Sequence, residues 1–382
     1  MKRIYWRPPS VSRAVLLLIA TIAVAAVVLV ETMGVERQQP WYAEKIAAAR
    51  LALRATEAIR VEKQRRGLRL DPETDPAGTG LIGEPVTSVT SNTGNLLAKQ
   101  RSTNPNFAAV VVHYLRRANV AKGDLVAVGL SGSFPALNIA TYAAIEAIEA
   151  EPIAISSVSG SEWGANHPEY LWVDMERTLV EAGVFRHRSV AASRGGIDDR
   201  GVGMSKEGRA LVDDAIVRSG AERLDTKSLA DAIERRMQVY AARAGDRPVR
   251  AYVNVGGGSA SVGTHVGKKQ FKPGLNREPP PGARLMDSVM LRFAERDVPV
   301  IHLTNIEELA KRHGLDVRPE TTSPVGTGKV YVQEEYNRWL AGVSVLVVLG
   351  AMLAFIRLDV GLRILRGASR SGAGSRQPQQ MV

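Results

Sequence analysis

Cysteine is absent from all 382 residues. No disulfide can brace the chain, and no thiolate can serve in it as nucleophile or metal ligand. A chain of this size buries enough apolar surface to fold without covalent staples. The zinc-protease spacing His-Glu-x-x-His is missing too, and no two histidines stand close together. No metal site is therefore expected. Nucleotide signatures also fail. Gly256-Gly257-Gly258-Ser259-Ala260-Ser261 lacks the third glycine of a dinucleotide fingerprint. Gly326-Thr327-Gly328-Lys329 is followed by Val330 and lacks the earlier glycine of a phosphate loop. No cofactor is expected.

Acid is scarce at both ends. Lys2, Arg3, Arg7 and Arg13 precede an uncharged apolar run over residues 14–30, which can extend through Met33. A second such run covers residues 339–356, and Arg357, Arg363, Arg366, Arg370 and Arg376 follow it against a single Asp359. Each run has about the length needed to cross a hydrocarbon core of roughly 30 Å. The competing reading of the first is a cleaved signal peptide, since Ala23-Val24-Ala25 offers a small-x-small site. The apolar run continues past that site, which favours an uncleaved anchor. The competing reading of the second is a buried core helix, against which the adjoining basic tail argues. Basic flanks place both tails in the cytoplasm, with Tyr5, Trp6 and Trp339 suited to the interfaces. Each tail carries four net positive charges, eight of the formal +11. The basic balance thus reports topology and makes no case for nucleic-acid binding.

These features divide the chain into a basic tail (1–13), a transmembrane helix (14–35), a stalk helix (36–70), an extracytoplasmic α/β domain (71–338), a second transmembrane helix (339–357) and a second basic tail (358–382). Residues 40–66 are rich in Ala, Leu, Arg, Glu and Lys, with Ile46, Ala49, Leu53 and Thr56 tracing one side. This predicts a helix with a basic, solvated face. Residues 71–85 read as a loop and 85–91 as a strand. Asn104 is placed as the cap of a helix opening at Pro105 and running to about Asn119. Strands are expected at 125–130, 152–158, 249–255 and 299–303, and helices at 135–150 and after Asn305 up to Gly314. Residues 201–245 read as two helices with no strand between them. The strands are apolar throughout rather than alternating, so the fold expected is a three-layer α/β domain, a mostly parallel sheet with helices on both faces.

In open parallel sheets, ligands sit beyond the carboxyl ends of the strands. Three Gly/Ser-rich loops fall there: residues 129–134 (GLSGSF), 156–166 (SSVSGSEWGAN) and 256–263 (GGGSASVG). Curled glycine backbone and helix N-termini present N–H groups to anions. The candidate ligand set is Gly129, Ser131, Gly132, Ser133, Ser159, Ser161, Asn166, Gly256, Gly257, Gly258 and Ser259, with Ser261 beside it. The bland alternative is a set of tight strand-to-helix turns without a ligand. A nucleophile elbow needs Gly-x-Ser-x-Gly, and Gly129-Leu130-Ser131-Gly132-Ser133 misses its last position. Ser131 or Ser133 as nucleophile would need a histidine, with His113, His167, His265 and His302 as candidates. The cluster Glu162, His167, Glu169 and Asp174, with Trp163 and Trp172, admits an acid/base or saccharide site, or a polar loop over core tryptophans.

The runs VAVGLSGSFPALNIA, SSVSGSEWGANHPEYLWVDMER, GGIDDRGVGMSKEGRALV and VNVGGGSASVG together resemble the poly-gamma-glutamate system protein family. The resemblance covers most of residues 40–340. It implies an outer domain between two membrane spans, and partnership with the membrane components of poly-γ-glutamate synthase. It brings no catalytic residues. Poly-γ-glutamate carries a carboxylate on every unit, so Gly/Ser loops, with Lys99, Arg101, Lys268 and Lys269 extending the track, would suit it. The function expected is a membrane-anchored accessory protein of poly-γ-glutamate synthesis, export or retention, binding the polymer. The alternatives are a hydrolase or transferase using Ser131, and a scaffold whose spans pack on the synthase.

Overall fold

The computed structural model describes residues 13–264 and 269–357. Residues 1–12, 265–268 and 358–382, with Tyr5, Trp6, His265 and Lys268 among them, lie outside the described residues. The chain divides into two units: residues 1–37 with 333–382, and residues 38–332.

The first unit holds α1 (Arg13–Thr32) and the helix Arg338–Arg357, which lie against each other, joined to a two-stranded sheet of β1 (Val35–Gln38) and β11 (Val332–Glu335). Arg37 pairs with Glu335 at 3.1 Å, and Tyr336 Oη donates to Glu31 Oε1 at 3.2 Å. Within Arg338–Phe355 one helix is long and apolar enough to cross a membrane; the apolar stretch Leu16–Thr32 of α1 is shorter.

The second unit is an α/β domain. Its helices are α2 (Tyr42–Arg65), α3 (Leu96–Ser102), α4 (Phe107–Arg117), α5 (Pro135–Ala147), α6 (Trp172–Glu181), α7 (Lys206–Ser219), α8 (Leu229–Ala244) and the short α9 (Ser259–Val262), followed by Val289–Ala294 and Ile306–His313. Its strands are β2 (Leu125–Ser131), β3 (Glu151–Ser157), the small β4 (Asn166–His167) and β5 (Tyr170–Leu171) pair, β6 (Ala191–Ser193), β7 (Glu222–Arg223), β8 (Val249–Val255), β9 (Gly274–Asn276) and β10 (Val300–Leu303). The central sheet runs β7-β6-β3-β2-β8-β10-β9, parallel except for the antiparallel edge strand β9.

Both faces of the sheet are covered, which explains why its strands are apolar at every position. Along β2, Val126, Val128 and Leu130 pack with α2, α4 and α5, while Leu125 and Ala127 pack with α8 and Val289–Ala294. The three-layer α/β expectation holds in this respect.

The stalk expectation is corrected. Residues 38–70 belong to the α/β unit, and α2 buries Ala48, Ala49, Ala52, Ala55 and Ile59 against α4 and α5. Leu53, placed on the predicted stripe, is 40% exposed. The buried face is alanine, which lets helix axes approach closely but gives little hydropathy contrast for a periodicity argument. Ala52→Leu is therefore expected to cost 1–3 kcal/mol through overpacking, against about 0.5 kcal/mol or less on a solvated stalk. A denaturant titration distinguishes the two.

Three smaller expectations also change. Residues 85–91 form turns with one isolated bridge, Thr90 to Gly160, because Thr87 spends its hydroxyl and N–H on Thr90 and the Asn166 carbonyl. Helix α4 starts at Phe107 with Asn106 at its cap, while Asn104 Oδ1 accepts from Asn106 N at 2.9 Å. Between α7 and α8 lies β7, a two-residue edge strand.

Candidate functional site

Parallel strands deliver their carboxyl ends to one edge of the sheet, and the loops leaving β2, β3, β8 and β10 meet there around a cavity of about 810 Å³. Ser131, Ser133 and Phe134 come from the first loop, Ser157, Ser159 and Ser161 from the second, and Gly257, Gly258 and Ser259 from the third. Thr304 to Glu307, beyond β10, supply a fourth wall. The segment 91–101 and the pair Gly196 and Ile197 complete the enclosure.

The loops are tied to one another. Gly132 N donates to the Ser157 carbonyl at 2.8 Å, Ala165 N to the Gly132 carbonyl at 2.7 Å and Ser161 N to Ser133 Oγ at 3.0 Å. Side chains at two glycines would break this fit. A Cβ at Gly132 would stand 2.3 Å from the Val158 carbonyl oxygen, and one at Gly129 2.4 Å from Tyr252 Oη. Gly132 therefore serves close approach of backbone and Gly129 makes room for the Tyr252 hydroxyl, and neither lines the cavity. Ser131 is fixed by Asn138, whose Nδ2 donates to the Ser131 carbonyl at 2.8 Å; Ser131 Oγ accepts from Ser133 N at 3.2 Å.

The buried ionisable side chain in this wall is Lys99. Helix α3 begins at Asn95, whose side chain accepts from Ala98 N at 2.9 Å, and one turn later the helix turns Lys99 inward. Lys99 is only 3% exposed. Its Nζ lies 2.9 Å from Ser161 Oγ, donates to the Ser133 carbonyl, and sits 3.8 Å from the centroid of the Phe134 ring. Arg101 stands at the rim, paired with Glu307 at 2.8 Å. Under the second loop, Asp199 and Arg236 form a buried ion pair at 2.8 Å, each side chain 1% exposed. Asp199 Oδ1 also accepts from Ser157 Oγ at 3.1 Å and Ser193 Oγ at 2.7 Å. This pair anchors the 194–203 loop that carries Gly196 and Ile197.

Of the sequence-predicted residues, the structure brings together Ser131, Ser133, Ser159, Ser161, Gly257, Gly258 and Ser259. It leaves Gly256, Asn166 and His167 outside the cavity wall. Asn166 is fully buried and holds Glu84 through a pair of hydrogen bonds, 2.9 Å from its N–H and 2.8 Å to its carbonyl. His167 Nδ1 accepts from Glu169 N at 3.3 Å, and burial holds its pKa below the usual imidazole value. His302 bonds Asn254 at 2.9 Å inside the sheet, and His113 packs against His313 and Tyr114. No described histidine lines the cavity, so a Ser131–histidine pair is not formed among the described residues. Of the two tryptophans of that cluster, Trp172 is core, fully buried with Nε1 donating to Ser156 Oγ at 3.1 Å, while Trp163 is half-buried in its loop. Among the described residues no group of three or more His, Cys, Asp or Glu side chains converges.

Sequence reasoning set Lys99 and Arg101 beside the site; Lys99 is part of its wall. The available signal was the SNTGN run before α3, a polar, glycine-containing turn capped by Asn95. The wall at 304–307 follows from the strand-end rule applied to β10. Comparison with protein-family models, with curated proteins and with solved structures found no match in any of the three.

Proposed function

We propose that the cavity binds carboxylates, and that the protein is a membrane-anchored accessory component of poly-γ-glutamate synthesis, export or retention. The observation that carries the reading is the buried Lys99 amine set among hydroxyls from three strand-end loops. A lysine ammonium with serine donors makes charge-assisted hydrogen bonds to a carboxylate without requiring a strongly basic surface. The apolar helices at the two ends support an anchored arrangement with two spans, both termini cytoplasmic and the α/β unit outside. The resemblance of the 126–140, 156–177, 195–212 and 253–263 stretches to the poly-gamma-glutamate system protein family supports the polymer as ligand, and synthase membrane components as partners.

The test uses the full-length protein in detergent with poly-γ-glutamate. Binding is expected by calorimetry, weakening as salt rises and falling roughly tenfold or more in Lys99→Gln, the range for losing a hydrogen bond to a charged group. Affinity unchanged by that substitution overturns the carboxylate reading of the cavity.

A further inference from the structure

A serine hydroxyl becomes a nucleophile when a base stands within hydrogen-bond reach, and a lysine amine can be that base. The cavity contains one such pair. Ser161 Oγ lies 2.9 Å from Lys99 Nζ, inside the 2.6–3.2 Å window for proton transfer. Both residues are buried, 8% and 3% exposed. Their geometry is fixed from both sides: Ser161 N is held by Ser133 Oγ at 3.0 Å, and Lys99 by the Ser133 carbonyl and the Phe134 ring. Ser159 Oγ, two residues away in the same wall, is buried with no hydrogen-bond partner among the described residues. A buried hydroxyl of this kind calls for an explanation, and a ligand oxygen supplies one. Among the described residues, no comparable base stands at Ser131 Oγ.

From these contacts we infer that Ser161 is the nucleophile and Lys99, in its unprotonated form, the general base of an acyl-transfer site acting on amides. Ser161 Oγ bonds to the amide carbonyl carbon as its proton passes to neutral Lys99 Nζ. Ser159 Oγ–H donates to the oxygen that gains charge. The C–N bond then breaks, and Nζ returns the proton to the leaving amine, which leaves an ester on Ser161. Water attacks that ester, gives its proton to Nζ, and Nζ passes it to the departing Ser161 oxygen. The products are a carboxylic acid, an amine and the free enzyme, with nothing oxidised or reduced.

The inference shares the cavity with the proposed carboxylate site but does not depend on poly-γ-glutamate being the ligand. Its test is a serine-directed fluorophosphonate probe applied to the full-length protein in detergent, read by intact mass and peptide mapping. One adduct on Ser161 is expected, with a labelling rate that rises with pH as the amine loses its proton. Lys99→Arg keeps the positive charge but cannot take the proton, and should slow labelling at least tenfold. No adduct at Ser161, or a Lys99→Arg rate within twofold of wild type, overturns the assignment. If Lys99→Arg does not fold, the wild-type pH profile decides, and a flat profile overturns it. Labelling without polymer binding sinks only the polymer reading, and polymer binding without labelling sinks only this one.

Discussion

Asp199→Ala is expected to destabilise the α/β unit by about 3–5 kcal/mol, the cost of leaving a buried charge without its partner. Arg236, on α8, is 1% exposed and directs both Nε and Nη2 at the Asp199 carboxylate, at 3.0 and 2.8 Å. Ser157 and Ser193 complete the network, donating to Asp199 and accepting from Arg236 Nη2 at 3.0 and 2.8 Å, so alanine leaves a buried guanidinium with only these neutral partners. The melting temperature should fall by roughly 10 °C, taking about 2–4 °C per kcal/mol for a domain of this size. Replacing both partners, Asp199→Ala with Arg236→Met, removes the stranded charge and should recover most of the loss. Thermal and denaturant melts of the two variants make the comparison. A single-variant loss under about 1 kcal/mol would mean that water reaches the guanidinium. The consequence reaches the cavity, because the same loop supplies Gly196 and Ile197, and Ser259 Oγ donates to the Gly196 carbonyl at 3.0 Å.

The central strands were legible because burial on both faces leaves an unbroken apolar run, and β8 falls at the predicted residues 249–255. Shorter strands were not. The edge strand β7 is two charged, exposed residues, and β6 is Ala-Ala-Ser, with no pattern to distinguish it from loop. Helix α2 was visible as a helix but misplaced in the architecture, because its core-facing side is alanine and its ends bury Lys45 and Lys63. Lys45 Nζ donates to the Val330 carbonyl at 2.7 Å and Lys63 Nζ to the Ile82 carbonyl at 3.3 Å, contacts between residues far apart in sequence. The candidate site follows the same division. Its three Gly/Ser walls could be read from strand ends, whereas Lys99 enters from a helix preceding β2 whose direction is set by tertiary packing. Asn166 illustrates the opposite error: a polar residue in a promising loop that proves to be fully used by the Glu84 backbone and the Thr90 hydroxyl.

Between about pH 4.5 and 7, stability should fall in wild type relative to Glu176→Gln by about 3 kcal/mol, from one buried carboxyl. Glu176 lies on α6, fully enclosed, accepting from Tyr142 Oη at 2.7 Å and Ser189 Oγ at 2.8 Å. Burial pushes its pKa up to about 7 from 4.5, and these hydrogen bonds only partly offset the push. The sign follows from proton counts. Between those two values the folded protein holds a proton that the unfolded chain has released, so raising the pH favours unfolding. Below about 4.5 both states are protonated and the penalty vanishes; above about 7 both are ionised and it stays constant, near 3 kcal/mol at 1.36 kcal/mol per pH unit. Two histidines act in the opposite direction. Burial, with nearby positive charge, lowers His113 to about 4 and His313 to about 3, so each stays neutral in the fold and costs stability as the pH drops below about 6.5. The wild-type curve alone therefore mixes opposed trends, and the difference between wild type and Glu176→Gln isolates the carboxyl. Denaturant titrations of both proteins at half-unit pH steps provide that difference. A difference that is flat across the interval would show that Glu176 ionises in the fold as it does in the unfolded chain, and that water or a positive charge reaches the Tyr142–Ser189 cluster.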